Sequence, residues 1–227
     1  MGAVLDLIRV LFTPTEVFER VRERPKFLAP ALGVAVVVTI LSYLMMPFTQ
    51  AAMASRMAQI AQQNPNAAAQ AAKFQSVGLV FAPIGVFIAL LIGAGILWLL
   101  VMLLAGGDGK YRTLLSVATY TALPSILLQA AGLVVLRMKG VEAVSSMEDL
   151  RPPLGLNLLA PNVSGFVGAV LAGINPFAIW SMVLTAIGIH VTHKTSKGSA
   201  YAVAIVAMLF GVLIGAMFAG LGGKAGS

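Results

Sequence analysis

The chain has 227 residues, of which 59% are hydrophobic and only 10% are charged, and its mean hydropathy is +0.94. These values lie far from those of soluble globular domains, so they exclude a soluble enzyme and a nucleic-acid-binding module despite the formal net charge of +7. The sequence contains no cysteine, which excludes disulfides and thiolate metal sites.

The segment 1–26 forms an amphipathic N-terminal unit. One helical face collects apolar side chains from residue 4 to residue 12, and a second helix begins at Thr13-Pro14-Thr15-Glu16. That tetrapeptide has a capping threonine, proline at the first helical position and glutamate three residues after the cap, which predicts a capping box. The second helix is predicted to end before Pro25.

Basic residues crowd the end of this second helix, and its apolar side is supplied by Val17, Phe18 and Val21. We therefore expect the helix to lie along an anionic membrane surface, with the basic cluster as a candidate site for lipid or a protein partner. The alternative is a positive flank that only fixes topology. The cluster consists of Arg20, Arg22, Arg24 and Lys26.

Five intervals of the chain contain no charged residue, and each exceeds the roughly 20 residues that cross a bilayer as a helix. The sequence thus predicts an all-α, polytopic membrane protein, a five-helix bundle occupying residues 27–222 with an external tail at 223–227. A helical hairpin outside the membrane is expected over 49–76. The predicted spans are 28–48, 77–105, 114–136, 176–191 and 200–221.

Two polar inclusions interrupt the third span. Tyr120 follows the interfacial Tyr111 by nine residues, which places it roughly 13 Å deeper at 1.5 Å per residue. Pro124 removes the hydrogen bond that the Tyr120 carbonyl would otherwise accept. We expect a kink whose polar groups face the bundle core, because lipid offers them no partner.

The apolar run 163–191 is too long for one untilted helix, and Asn175-Pro176 divides it. We interpret 163–174 as a partly inserted helix. A broken helix can present backbone carbonyls to a transported substrate. The alternative is that Pro176 simply begins a helix.

The fifth span carries Gly211, Gly215 and Ala219 at four-residue spacing. Such a stripe of small residues lets another helix approach closely, either inside the bundle or across a homo-oligomer.

The distribution of basic residues predicts the orientation of the chain. With five spans, nine lysines and arginines fall on the N-terminal side and six on the other. This bias predicts a cytoplasmic N-terminus and an external C-terminus in a cell (inner) membrane.

The predicted spans contain no ionisable pair that could relay protons or carry out intramembrane proteolysis. His190 and His193 share a helical face, but no third metal-binding residue is close in sequence. We therefore expect no enzymatic activity, no metal and no cofactor.

Three motifs resemble the Yip1 domain family: a capped segment ending in Arg-Pro-Lys-Phe-Leu-Ala-Pro, the run from Tyr111 to Pro124, and Asn175-Pro176-Phe177-Ala178-Ile179-Trp180 with the following turn and span. The resemblance covers nearly the whole chain. It implies five spans, a cytoplasmic N-terminus and no enzymatic activity. Eukaryotic members resemble trafficking factors that engage prenylated Rab GTPases. This chain lacks their acidic-Leu-Tyr-Gly-Pro motif and long polar N-terminal domain, and is more similar to the short prokaryotic branch.

Two functional hypotheses follow. The first is a non-catalytic membrane protein that organises lipid, through anionic headgroups at the cytoplasmic face, or partner proteins in a trafficking-like or membrane-shaping role. The second is a permease, or a transporter subunit, for a neutral small molecule that would pass along the Asn175-Pro176 break and the kink at Tyr120 and Pro124.

Overall fold

A computed structural model of the protein describes residues 2–64, 81–106, 109–151 and 154–223, together with the isolated positions 66, 70, 73 and 78. The regular secondary structure in these ranges is helical, with no strand. The helices are α1 Gly2–Arg9, α2 Pro14–Glu23, α3 Leu28–Gln63, α4 Ala82–Leu100, α5 Tyr111–Thr121, α6 Leu123–Lys139, α7 Gly165–Gly173, α8 Pro176–His193 and α9 Lys197–Gly223. Two short 3₁₀ turns at Val141–Ala143 and Leu156–Leu159 lie in the loop after α6.

Five helical segments of the described chain are long and apolar enough to cross a membrane, which confirms the predicted fold class. They are Leu28–Ala54, Ala82–Ala105, Tyr111–Lys139, Pro176–His193 and Lys197–Phe218. The start of the predicted second span at Val77 lies outside the described residues, as do positions 224–227 of the predicted tail.

The third span is the central one. Its most apolar window is 44% buried inside the protein, whereas the windows of the other four are 17–28% buried. Those four expose large apolar side chains, such as Leu103 and Phe218, on the outside of the bundle. Hydrocarbon chains are the medium in which such an outer surface is stable.

Helix α3 does not end at Phe48, where the first span is predicted to end. It continues without a break through Pro47 to Gln63, so the first arm of the expected hairpin is helical and continuous with the helix of the first span. The reason is local: proline removes a single helical hydrogen bond, and the Ala- and Gln-rich sequence beyond it has high helix propensity. Most of the second arm lies outside the described residues.

The third span breaks where the kink was predicted. Helix α5 ends at Thr121 and α6 begins at Leu123, with Ala122 between them and Pro124 in the first turn of α6. Proline is well suited to a first turn because its missing N–H would have had no helical partner there.

The segment 163–174 folds as the short helix α7, which packs along α9. Gly173 permits this packing, because a Cβ at that position would lie only 2.8 Å from Val212 Cγ1. Helices α7 and α8 thus meet at the Asn175-Pro176 break beside the C-terminal half of α9.

Candidate functional site

The N-terminal helices are docked into the bundle, contrary to the expectation that α2 lies on the membrane surface. The apolar side of α2 is enclosed: Val17 and Phe18 are 0% exposed and Val21 is 3% exposed. The same core cluster contains Val117 of the third span and Leu184 of α8. Protein, and not lipid, therefore covers the apolar face of α2.

Gly188 makes this docking possible. A Cβ built on Gly188 would lie 2.8 Å from Val117 Cγ1 and 3.1 Å from two atoms of the Phe18 ring. Any larger residue would have to displace the phenyl ring or the valine. The glycine thus fixes how closely α2 approaches α8.

An ion pair joins α1 to α2. Arg20 donates from Nη2 to Asp6 Oδ1 at 2.8 Å and from Nε to Asp6 Oδ2 at 3.3 Å. The Asp6 side chain is only 12% exposed, and Arg9 lies 3.5 Å away from it. The hydrogen bond to Asp6 raises the pKa of Arg20, as expected for the cation of a close ion pair. It holds the two helices as one hairpin, residues 2–23.

The predicted capping box does not form. Thr13 occupies the N-cap position of α2, but its side chain makes no capping hydrogen bond. Its hydroxyl instead donates to the Arg9 carbonyl at 3.4 Å, which closes the turn between α1 and α2. Hydroxyl side chains readily bond to a nearby carbonyl in this way.

The structure divides the predicted basic cluster between two clefts. Arg20, Arg24 and Lys26 line a cavity of about 340 Å³ together with Asp6 and Glu23, which leaves one uncompensated positive charge. The predicted cluster is therefore not one continuous site.

Arg22 faces the other way, into a larger groove of about 630 Å³ between α2 and the α8–α9 turn. Lys194 and Lys197 also line this groove, and Glu19 is the only carboxylate among its lining residues. Three cations against one carboxylate leave two positive charges uncompensated. We call it the basic groove; its lining includes Thr15, Glu19, Arg22, His190, Lys194, Lys197 and Tyr201.

The basic groove is built at the C-terminal end of α8. Lys194 ends that helix in the left-handed conformation, with φ 52°. Arg22 Nη1 donates to the Val191 carbonyl at 3.4 Å. Cations are stabilised there because the last carbonyls of a helix carry partial negative charge. From the sequence, Lys194 and Lys197 are only two of the nine basic residues on the N-terminal side, because their approach to Arg22 depends on the docking of α2.

Helix α1 and the turn after it leave an apolar face uncovered. Ile8 is 61% exposed and Phe12, in the turn, is 77% exposed, and Val4 and Leu5 lie on the same face. The opposite face buries Leu7 of α1 and Val10 of the turn against the bundle. The hairpin therefore has a protein-covered side and an open apolar side.

The polar and kink residues of the prediction lie at two separate places. Tyr120 is 2% exposed and belongs to the same core cluster as Phe18, and Pro124 is buried nearby in sequence. At the other place, Asn175 caps α8, accepting from the Ala178 N–H at 2.9 Å. Its amide donates to the Ala172 and Gly173 carbonyls at 3.1 and 3.3 Å.

The predicted packing stripe on α9 meets no other helix at its first two positions. Within the described chain, no atom lies within 4 Å of where a Cβ would stand on Gly211 or Gly215. Both glycines instead line an open cavity between α9 and its neighbours. The side chain of Ala219 lies outside the described residues.

The two histidines of α8 have other partners. His190 Nδ1 lies 2.7 Å from the Thr195 carbonyl, and His193 Nδ1 lies 2.8 Å from the Thr192 hydroxyl. In the described part of the chain, no group of three or more His, Cys, Asp or Glu side chains could hold a metal ion.

Five apolar spans and an integrated amphipathic hairpin define a multi-pass membrane protein. The chain belongs to the Yip1 family, because the Yip1 domain model matches residues 8–219. It is also similar to the membrane protein YknW of Bacillus subtilis (strain 168), with 33% identity over 222 residues, which are 95% of this chain and 90% of that protein. No solved structure matches the chain. The predicted family is thus confirmed.

Proposed function

We propose that this protein is a non-catalytic membrane protein that gathers anionic phospholipid at the face bearing its N-terminal hairpin. The observation that carries the proposal is the basic groove, where Arg22, Lys194 and Lys197 come together against Glu19 alone. A phosphate headgroup is the anion that an integral membrane protein meets at highest local concentration.

The open apolar face of α1 supports the same function. Ile8 and Phe12 can enter the boundary between headgroups and acyl chains, as amphipathic interfacial helices do. The groove would then lie at headgroup level beside them. By the positive-inside bias this face is cytoplasmic, where the leaflet is rich in anionic lipid.

The expected preference follows from the charge. A basic residue near an anionic surface contributes about 1 kcal/mol, so two uncompensated charges correspond to an anionic-lipid preference of about 30-fold at low salt. The preference should weaken with salt, because exposed charges are screened over a Debye length of about 10 Å at 0.1 M.

The test uses the full chain reconstituted in bilayers that contain spin-labelled phosphatidylglycerol or phosphatidylcholine. Electron paramagnetic resonance measures the fraction of each lipid immobilised by the protein. We expect phosphatidylglycerol to be favoured, and the double variant Lys194→Gln/Lys197→Gln to lose most of that preference. Arg137→Gln/Lys139→Gln removes two charges from the other end of the bundle and should leave it unchanged. Equal immobilisation of both lipids by the unmodified protein would contradict the proposal.

The permease hypothesis has less support. It rested on free carbonyls at the helix break, and the amide of Asn175 binds the carbonyls of Ala172 and Gly173. Those two acceptors are therefore occupied by the protein's own side chain. Solute flux into proteoliposomes that falls on Asn175→Ala would restore the hypothesis.

A further inference from the structure

The cavity lined by Gly211 and Gly215 lies toward the opposite end of the bundle from the basic groove. It measures about 660 Å³, within the size range of small-molecule and cofactor sites. Its walls come from α4 to α9 and from the loop before α7, and they are mostly small or apolar. An apolar occupant would be stabilised there by dispersion contacts with these walls.

The cavity extends along α9. Its lining runs from Ala204 to Ala216, twelve residues apart, which is about 18 Å at 1.5 Å per residue. One leaflet contributes about half of a hydrocarbon core of about 30 Å. The length of the cavity therefore matches the acyl region of one leaflet.

The side of the cavity faces the membrane. Gly211 and Gly215 line it, are exposed, and have open space where a side chain would stand. A lipid chain can therefore enter sideways between α9 and its neighbours without any part of the protein unfolding. The two glycines, which pack against no other helix, would thus form the entrance for a lipid chain.

The end of the cavity nearest the 140–162 loop carries a positive charge. Arg151 lines it with a side chain that is 25% exposed. Glu148 reaches Arg151 only at 4.0 Å, and its Oε1 accepts the Gly165 N–H at 3.0 Å. Most of the hydrogen-bonding capacity of the guanidinium thus remains for an anion.

We propose that this cavity binds one anionic glycerophospholipid of the outer leaflet. Its phosphate is held by Arg151, and an acyl chain lies along Gly215, Gly211 and Ala207. A cation at one end and an apolar wall along the length of the cavity match the phosphate and the acyl chain of such a lipid. This site is independent of the basic groove.

Native mass spectrometry of the purified full chain, titrated with phosphatidylglycerol or phosphatidylcholine, tests the proposal. We expect one tightly held lipid, with phosphatidylglycerol preferred. Arg151→Gln should weaken phosphatidylglycerol binding about tenfold, as loss of a charged hydrogen bond implies. Gly211→Leu should abolish retention of both lipids by filling the cavity.

Matched controls separate this site from the basic groove. Lys139→Gln removes a charge at the same end, Ala202→Leu adds the same bulk to an exposed position of α9, and Lys194→Gln/Lys197→Gln disables the groove. All three should retain the tightly held lipid. Unchanged retention in Gly211→Leu, or equal loss in Ala202→Leu, would overturn the proposal. So would an equal response of both lipids to Arg151→Gln.

Discussion

The most informative single substitution is Phe18→Ala, which tests whether α2 is held by the bundle. Phe18 is 0% exposed, and its ring fills the space above Gly188. Truncating a fully buried phenylalanine to alanine typically costs about 3–5 kcal/mol, because it removes apolar contacts and leaves a cavity. The spans stay in the membrane, so this loss should appear as undocking of the hairpin.

The size of the effect can be read from chemical labelling. At about 1.4 kcal/mol per tenfold change, even the lower value raises the undocked fraction about 100-fold. The natural chain has no cysteine, so Val17→Cys supplies a unique thiol at a position that is 0% exposed. Its reaction with a water-soluble maleimide should accelerate about 100-fold in the Phe18→Ala background if opening and reclosing are fast.

The control lies on the same hairpin. Phe12→Ala removes a phenylalanine that is 77% exposed and should leave the labelling rate nearly unchanged. Trypsin cleavage after Arg22, followed without any introduced cysteine, gives a second readout. Docking of α2 by Phe18 is contradicted if the thiol of Val17→Cys reacts with maleimide at the same rate whether position 18 is phenylalanine or alanine.

Three further predictions concern other contacts. Gly173→Val should loosen α7 from α9 at a cost of about 1–3 kcal/mol in thermal unfolding, and Val212→Ala should restore part of it. A double-mutant cycle of Asp6→Asn and Arg20→Gln, read by the same maleimide labelling, should give a coupling of about 1 kcal/mol; additive effects would contradict the ion pair. The hydrogen bond from the Ser145 N–H lowers the pKa of Asp149, so amide protection of that turn should persist above pH of about 4, fall as the pH drops through the lowered pKa, and lose this dependence in Asp149→Asn.

The membrane fold was largely predictable because hydropathy reports directly on the cost of placing charges in lipid. The break after Thr121 followed from Pro124 for the same kind of local reason. The continuation of α3 beyond Phe48 was not predicted because Pro47 resembles a helix stop, and its single lost hydrogen bond is outweighed by the helix propensity of the sequence beyond it.

The site was harder to predict because it depends on tertiary contacts. The pattern of α2 shows an apolar side at Val17, Phe18 and Val21, but lipid and protein satisfy an apolar side equally well. Gly188 was the available signal: a glycine within an apolar span permits close approach, although the sequence does not name the partner. That Arg22 and Lys194 line the same groove can be inferred only once the approach of α2 to α8 is known.

The proposed function requires that α2 is held by protein while α1 presents its apolar face to the membrane beside the basic groove. Nitroxide spin labels on Ile8→Cys and Thr15→Cys, in anionic nanodiscs, test it most directly through collision rates with oxygen and with a water-soluble nickel relaxant. We predict that the label at Ile8 collides mainly with oxygen, as in lipid, and the label at Thr15, in the groove, mainly with the nickel complex. A water-like response at Ile8 would contradict the claim.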